Sequence, residues 1–163
     1  METIHLICGK ICSGKSFYAR TLKAQIGGVI LSTDEVTFDL MDNQQGEGYD
    51  AFAKRVNLYL RKKAGEIASA GCPVILDWGF WSRQDRQEIT EYYQQRSIPV
   101  KWYYIDVPDD LWARNIHVRN KRISAGLGGW DFYVDEGLLK KVVSLFEVPD
   151  RSEMDLWHIP TEE

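Results

Sequence analysis

Little in this sequence favours a membrane, an oxidising compartment or a nucleic-acid surface. No apolar run is long enough to span a bilayer, and the N-terminus lacks a signal peptide's basic and long apolar regions. Only three cysteines occur in 163 residues, Cys8, Cys12 and Cys72. An odd number without metal-ligand spacing argues against a disulfide frame or a zinc site, so reduced thiols in the cytoplasm are expected. Positive charge is not in excess. A net charge of −4 argues against a broad nucleic-acid-binding surface, while leaving room for a local basic groove. Repeats, low-complexity tracts and linkers are missing too, and the length suits one domain spanning 1–163. His5, His117 and His158 show neither ligand nor triad spacing and read as structural.

What is present is an alternation. Apolar runs at Ile4–Cys8, Val29–Ser32, Val74–Asp77, Val100–Asp106 and Leu156–Ile159 read as strands, most too continuously apolar for a half-exposed sheet. Helical patterns separate them. The first covers Ser16–Ile26, and Asp50 can cap a second whose stripe is Phe52, Val56, Tyr59, Leu60 and Ile67. Ser82 can cap a third, reaching about Arg96, and Pro108 or Asp109 starts a fourth, ending near Ile123. Asp135 opens a fifth, with Leu138, Leu139, Val142, Val143 and Phe146 expected to face inward. Strand–helix alternation predicts an α/β fold with a parallel sheet covered on both faces. Phe38–Tyr49 and the Gly-rich Ser124–Trp130 fit no element and read as functional loops.

The strongest signal is Gly9-Lys10-Ile11-Cys12-Ser13-Gly14-Lys15-Ser16, which reads G-x-x-x-x-G-K-S directly behind the first strand. This is a phosphate-binding P-loop (Walker A) in its required context. Small residues let successive backbone N–H groups curl around a phosphate, and the helix that follows turns its positive end toward the anion. Lys15 is placed to reach the β- and γ-phosphates of ATP, and the Ser16 hydroxyl to take one position on Mg²⁺. Cys12 reads either as a small residue the loop tolerates or as a thiol whose pKa the electropositive loop lowers.

Other candidates stand at the carboxyl ends of the strands. Asp34, after the second strand, can take or orient an acceptor's hydroxyl proton, or can cap a short helix. Asp77 ends Pro73-Val74-Ile75-Leu76-Asp77 in the Walker B manner and is a second Mg²⁺ candidate. Trp78, Phe80 and Trp81 can wall an acceptor pocket or cap the core. Arg83 and Arg86 sit in the first turns of a helix, where the macrodipole opposes cations, a hint that one faces an anion. Arg114, Arg119 and Arg122 precede the Gly-rich stretch, as cations of a closing lid would; Arg119 is the first choice among them.

Taken together, the P-loop, Ser32-Thr33-Asp34-Glu35, Asp77 with Arg83 and Arg86, Arg114 with Arg119-Asn120, and Phe146-Glu147-Val148-Pro149 with Glu153 carry a resemblance. Their order resembles small bacterial P-loop kinase-like ATPases, related to zeta toxins, chloramphenicol phosphotransferase and gluconate kinase. The resemblance implies a three-layer, nucleoside-monophosphate-kinase-like fold with a five-stranded sheet in the order 2-3-1-4-5 and a short lid at about 114–134. It also implies ATP with Mg²⁺ and phosphate transfer to a hydroxyl. Asp34 would match the acceptor-activating acid, Arg114 and Arg119 the lid arginines, and Asn120 a contact to adenine. Two positions depart from the pattern: Cys12 stands where Gly is common, and Phe17 where Ser or Thr often follows.

The expectation is therefore an ATP-dependent kinase acting on a small-molecule hydroxyl. A nucleic-acid 5′-hydroxyl kinase and an ATP-binding module without an acceptor are the alternatives. A GTPase is disfavoured, since Asn120-Lys121 lacks the Asp that completes the guanine-reading motif.

Overall fold

Apolar runs flanked by amphipathic segments assemble into a covered parallel sheet in the computed structural model, which describes residues 1–41 and 48–161. The strands are β1 (Ile4–Cys8), β2 (Val29–Ser32), β3 (Val74–Gly79), β4 (Val100–Ile105) and β5 (Leu156–His158). They lie in the order β2-β3-β1-β4-β5, and every neighbouring pair is parallel. The helices are α1 (Lys15–Ile26), α2 (Thr33–Leu40), α3 (Tyr49–Ser69), α4 (Arg83–Gln94), α5 (Asp109–Ser124) and α6 (Glu136–Leu145).

Alternate strand residues serve opposite faces, as the pleat requires. Leu6, Leu76 and Tyr104 pack with Ala64 and Ala68 of α3 and with Ile89 and Tyr93 of α4. Ile7, Ile75 and Ile105 pack against Ala19 and Leu22 of α1. All five residues of the central β1 are buried, which accounts for an apolar run broken only by His5. His5 is structural, its Nδ1 lying 2.8 Å from the Tyr103 hydroxyl.

Two helix starts match the expected caps. Ser82 Oγ accepts from the Asp85 N–H at 3.0 Å, and the Asp135 carboxylate from the Leu138 N–H at 2.7 Å. Others differ. Part of the stretch expected as loop is the helix α2, capped by Ser32 rather than Asp34, whose side chain is left in the first turn. Residues 42–47 of that stretch lie outside the described residues. Helix α3 begins one residue before Asp50, behind Gly48, and Asp50 instead pairs with Lys141 at 3.2 Å. Tyr59 and Val143 are exposed, because burial on α3 follows Val56, Leu60, Ala64 and Ala68, and on α6 only Val142 is fully covered.

Arg83 and Arg86 are not free to meet an anion. Arg86 is 2% exposed; its Nε donates to Glu153 at 2.9 Å and its Nη1 to the carbonyls of Phe80 and Glu147 at 3.1 and 3.0 Å. Arg83 bonds Asp150 and Glu153, while its backbone N–H donates to Glu147 at 2.6 Å. The Glu147 N–H closes the clasp on the Trp81 carbonyl at 2.7 Å. The segment before β5 thus grips the loop between β3 and α4 and fixes where Trp81 stands. The macrodipole penalty on these arginines is met by partners more than 60 residues later in the chain.

Arg86→Met strands two buried carbonyls and takes the partner of Glu153 Oε2, leaving Glu153 with Arg83 and the Asp150 N–H. It is expected to cost about 3 kcal/mol in urea unfolding. Arg83→Ala removes a half-exposed pair and should cost no more than about 1 kcal/mol. Equal losses would contradict the distinction.

Candidate active site

The register of the sheet creates the site. Ile7 lies opposite Asp77, and Asp77 opposite Ser32, so three strands end at one level. Beyond that level β1 turns into the loop 9–14, tied to β3 by the Gly9 N–H donating to the Gly79 carbonyl at 3.1 Å. Cys12 (φ 58°) and Gly14 (φ 97°) both take left-handed backbone conformations. Such residues turn successive N–H groups inward and make an anion nest at the start of α1. Glycine accepts that conformation freely and cysteine does so at a cost, so the departure at Cys12 carries backbone strain. The Ser13 hydroxyl is buried in the loop against Gly9 and has no hydrogen-bond partner among the described residues.

Helix α5 holds the loop from outside. Trp112 Nε1 donates to the Ile11 carbonyl at 2.7 Å, and Asn115 Nδ2 to the Cys12 carbonyl at 3.0 Å. Lys10 lies over the Trp112 ring at 3.7 Å and pairs with Asp109 at 3.6 Å. The sequence carries no local signal for Trp112 or Asn115, because their partners are backbone atoms about 100 positions away.

Inside the loop, Lys15 Nζ donates to the Lys10 carbonyl at 2.9 Å, and Ser16 Oγ to Asp77 Oδ2 at 2.7 Å. The Ser16–Asp77 pair is the oxygen set that the two motifs predict. A hydroxyl and a carboxylate, both open to a cleft, suit Mg²⁺, which takes few protein oxygens and completes its shell with phosphates and water. Lys15, Ser16, Asp34, Asp77 and Arg119 line one cleft of about 1430 Å³ with Trp78 and Trp81. Burial pushes the Lys15 ammonium below its ordinary pKa, against the pull of Asp77 and Asp34. Asp34 opens into the cleft, and protein atoms crowd it from the cleft walls. That desolvation lifts its carboxyl to about 6, with Asp77 adding and Lys15 and Arg119 opposing.

Arg119 comes from α5 and is held by Asp131 at 3.3 Å. A smaller hollow of about 350 Å³ on the outer side of the loop is lined by Arg114, Asn115 and Arg119. Beyond Gly126–Gly129 the chain crosses the cleft mouth, where Phe132 packs on Phe38 and Tyr49 with ring centroids 4.7 and 5.6 Å apart.

Four expectations need correction. Phe80 is core: it is buried, stacks on Trp78 at 5.5 Å and meets Trp102 edge-on at 5.0 Å. Arg83 and Arg86 belong to the clasp and do not line the cleft. Asn120 is spent on the backbone of Val134, donating to its carbonyl and accepting from its N–H, both at 2.8 Å, so it anchors the segment that follows α5 rather than an adenine. The Cys12 thiol pKa is raised, since burial outweighs the cations Arg119 and Lys15.

The family model described as an AAA domain matches residues 4–149. The chain belongs to this AAA-domain family (AAA_33). No curated protein matches it in sequence. Solved structures similar to this AAA domain include an APS kinase from Mycobacterium tuberculosis in complex with AMPPNP and APS. That match has 18% identity and TM-score 0.70, covering 99% of this chain and 90% of that one. Chaetomium thermophilum Kti12 in complex with ADP-AlF3 matches at 13% identity and TM-score 0.71, over 96% and 88%. A gluconokinase from Sinorhizobium meliloti matches at 16% and TM-score 0.65, over 99% and 84%. These likenesses show that this AAA domain has the fold of P-loop kinases.

With its pKa raised, Cys12 should alkylate with iodoacetamide at pH 7.5 more slowly than a free thiol, read by mass spectrometry of the peptide. Labelling faster than glutathione would contradict the burial that sets it.

Proposed function

We propose that this protein is an ATP- and Mg²⁺-dependent kinase that transfers the γ-phosphoryl group to a hydroxyl of a small molecule. The observation that carries the reading is the convergence of the P-loop Lys15, the Ser16–Asp77 oxygen pair and the carboxylate of Asp34 on one cleft. A bare nucleotide-binding module needs the first two; an acid with a pKa near 6 beside them suits proton transfer at neutral pH.

The loop N–H groups and Lys15 bind and orient the phosphates, with Arg114 and Arg119 as the cations contributed by α5. Ser16 and Asp77 would hold the metal ion, which would supply charge to neutralise the phosphates. Asp34 accepts the proton of the acceptor hydroxyl as its oxygen forms the new bond to the γ-phosphorus. The bond from that phosphorus to the bridging oxygen breaks, and its electron pair leaves with ADP. The products are a phosphate monoester and ADP, and the proton passes from Asp34 to water. Trp130, Phe132 and the aromatic floor at Trp78 and Trp81 restrict water around the transferred group.

Incubation with ATP, Mg²⁺ and a broad panel of hydroxyl compounds should give a phosphorylated product, lost in Lys15→Ala. ATP binding with no product across the panel would favour a module without an acceptor. Because Asp34 must be ionised, kcat/KM should fall as pH drops through about 6. Asp34→Asn should remove that limb and lower kcat by about a hundredfold or more. The same shift has a sign for stability. The folded state holds this proton more tightly than the unfolded state does, so the group's contribution declines as pH rises from about 4 to 6. Asp34→Asn should therefore melt above the wild type at pH 8, and a lower Tm there would contradict the assignment.

A further inference from the structure

The two sides of the cleft differ in charge. Its cations on the nucleotide side, Lys15, Arg20, Lys23, Arg119 and Arg122, all stand on α1 and α5. The opposite side is built from α2, the start of α3, the end of β3 and the chain from Trp130 to α6. Among the described residues there, the cleft is lined by one cation, Lys141, and that is paired with Asp50 at 3.2 Å. The carboxylates on this side include Asp34, Glu35 and Asp135. Asp135 is engaged as a helix cap, and among the described residues no cationic side chain is in salt-bridge contact with Asp34 or Glu35.

The arginines best placed in sequence to offset this charge, Arg83 and Arg86, are taken by Glu153, Asp150 and Glu147. The floor of this side is a rigid aromatic surface. Trp78 Nε1 donates to the Leu31 carbonyl at 3.2 Å and its ring stacks on Phe80, while the clasp at Glu147 holds Trp81.

We propose that the acceptor is a cationic hydroxyl compound, an amino alcohol or amino sugar with a flat or apolar face, rather than a carboxylated or phosphorylated one. An anion on this side meets Glu35 with no unpaired cation among the described residues of that side to offset it, while Lys15 and Arg119 act on Asp34 from the nucleotide side. An ammonium is attracted by both carboxylates and by the faces of the indole rings. The apolar face of the molecule lies on Trp78 and Trp81, while its hydroxyl reaches Asp34 and the γ-phosphate. Glu35, one residue further along α2, is the specificity-determining charge. This inference rests on the kinase reading above.

The test uses the full chain with labelled ATP and Mg²⁺, offering matched probes: glucosamine and kanamycin, glucose, and the anions gluconate and glucose 6-phosphate. Binding of ATP is followed separately by calorimetry. Transfer should go to an amine-bearing probe. Glu35→Gln should raise its KM roughly fivefold, near the upper end for a solvent-accessible ion pair, with kcat nearly unchanged. Transfer to gluconate, glucose 6-phosphate or glucose in preference to the amines overturns the acceptor assignment and leaves the kinase reading standing. A KM unmoved by Glu35→Gln, in a variant that still melts cooperatively, overturns the role of Glu35. ATP binding without transfer to any probe or to the broader hydroxyl panel overturns the kinase reading and this inference with it.

Discussion

The hydrogen bond from Ser16 Oγ to Asp77 Oδ2, at 2.7 Å, joins the first turn of α1 to the end of β3. It exists because Ile7 and Asp77 are register partners in parallel strands, so the phosphate loop and the second motif finish side by side. An antiparallel pairing, or a one-residue slip, would turn Asp77 to the other face of the sheet. The fit of β1 to a different core on each face of the sheet protects that register, since a slip would exchange those faces. Core packing and site geometry are in this sense one constraint.

Around that bond the cleft sets burial against charge. Desolvation lowers the Lys15 pKa and raises that of Asp34, and each group partly relieves the other. Neither is in its most comfortable state. Sites organised for chemistry commonly carry such a cost, and the rest of the domain offsets it. The strained Cys12 backbone adds to it, and α5 offsets part through Trp112 and Asn115, which fasten two carbonyls of the loop. Helix α5 therefore supports the loop as well as lining its outer side with cations.

Local chemistry was readable in the sequence. The P-loop and the caps at Ser82 and Asp135 depend on neighbours within a few residues, and the structure has them where the pattern puts them, while β3 runs two residues past Asp77 to Gly79. The sheet order came from family likeness, and the chain adopts it. Short α2 was hidden because only Thr33 and Thr37 are buried along it, too little for a visible apolar stripe. Arg83, Arg86 and Asn120 were misread for a common reason. Each is satisfied by atoms far along the chain or by backbone groups, which no side-chain pattern announces. The Cys12 thiol was misjudged because proximity to cations is visible in a motif and depth of burial is not.

The account stands on the Ser16–Asp77 pair working with the P-loop as a metal-assisted triphosphate site. Calorimetric titration of AMPPNP into the protein, with Mg²⁺ and then with EDTA, probes this directly. The account predicts binding that strengthens at least tenfold with Mg²⁺, and loss of that gain in Asp77→Ala while the variant stays folded. Affinity indifferent to Mg²⁺, or a full Mg²⁺ gain surviving in Asp77→Ala, would contradict it.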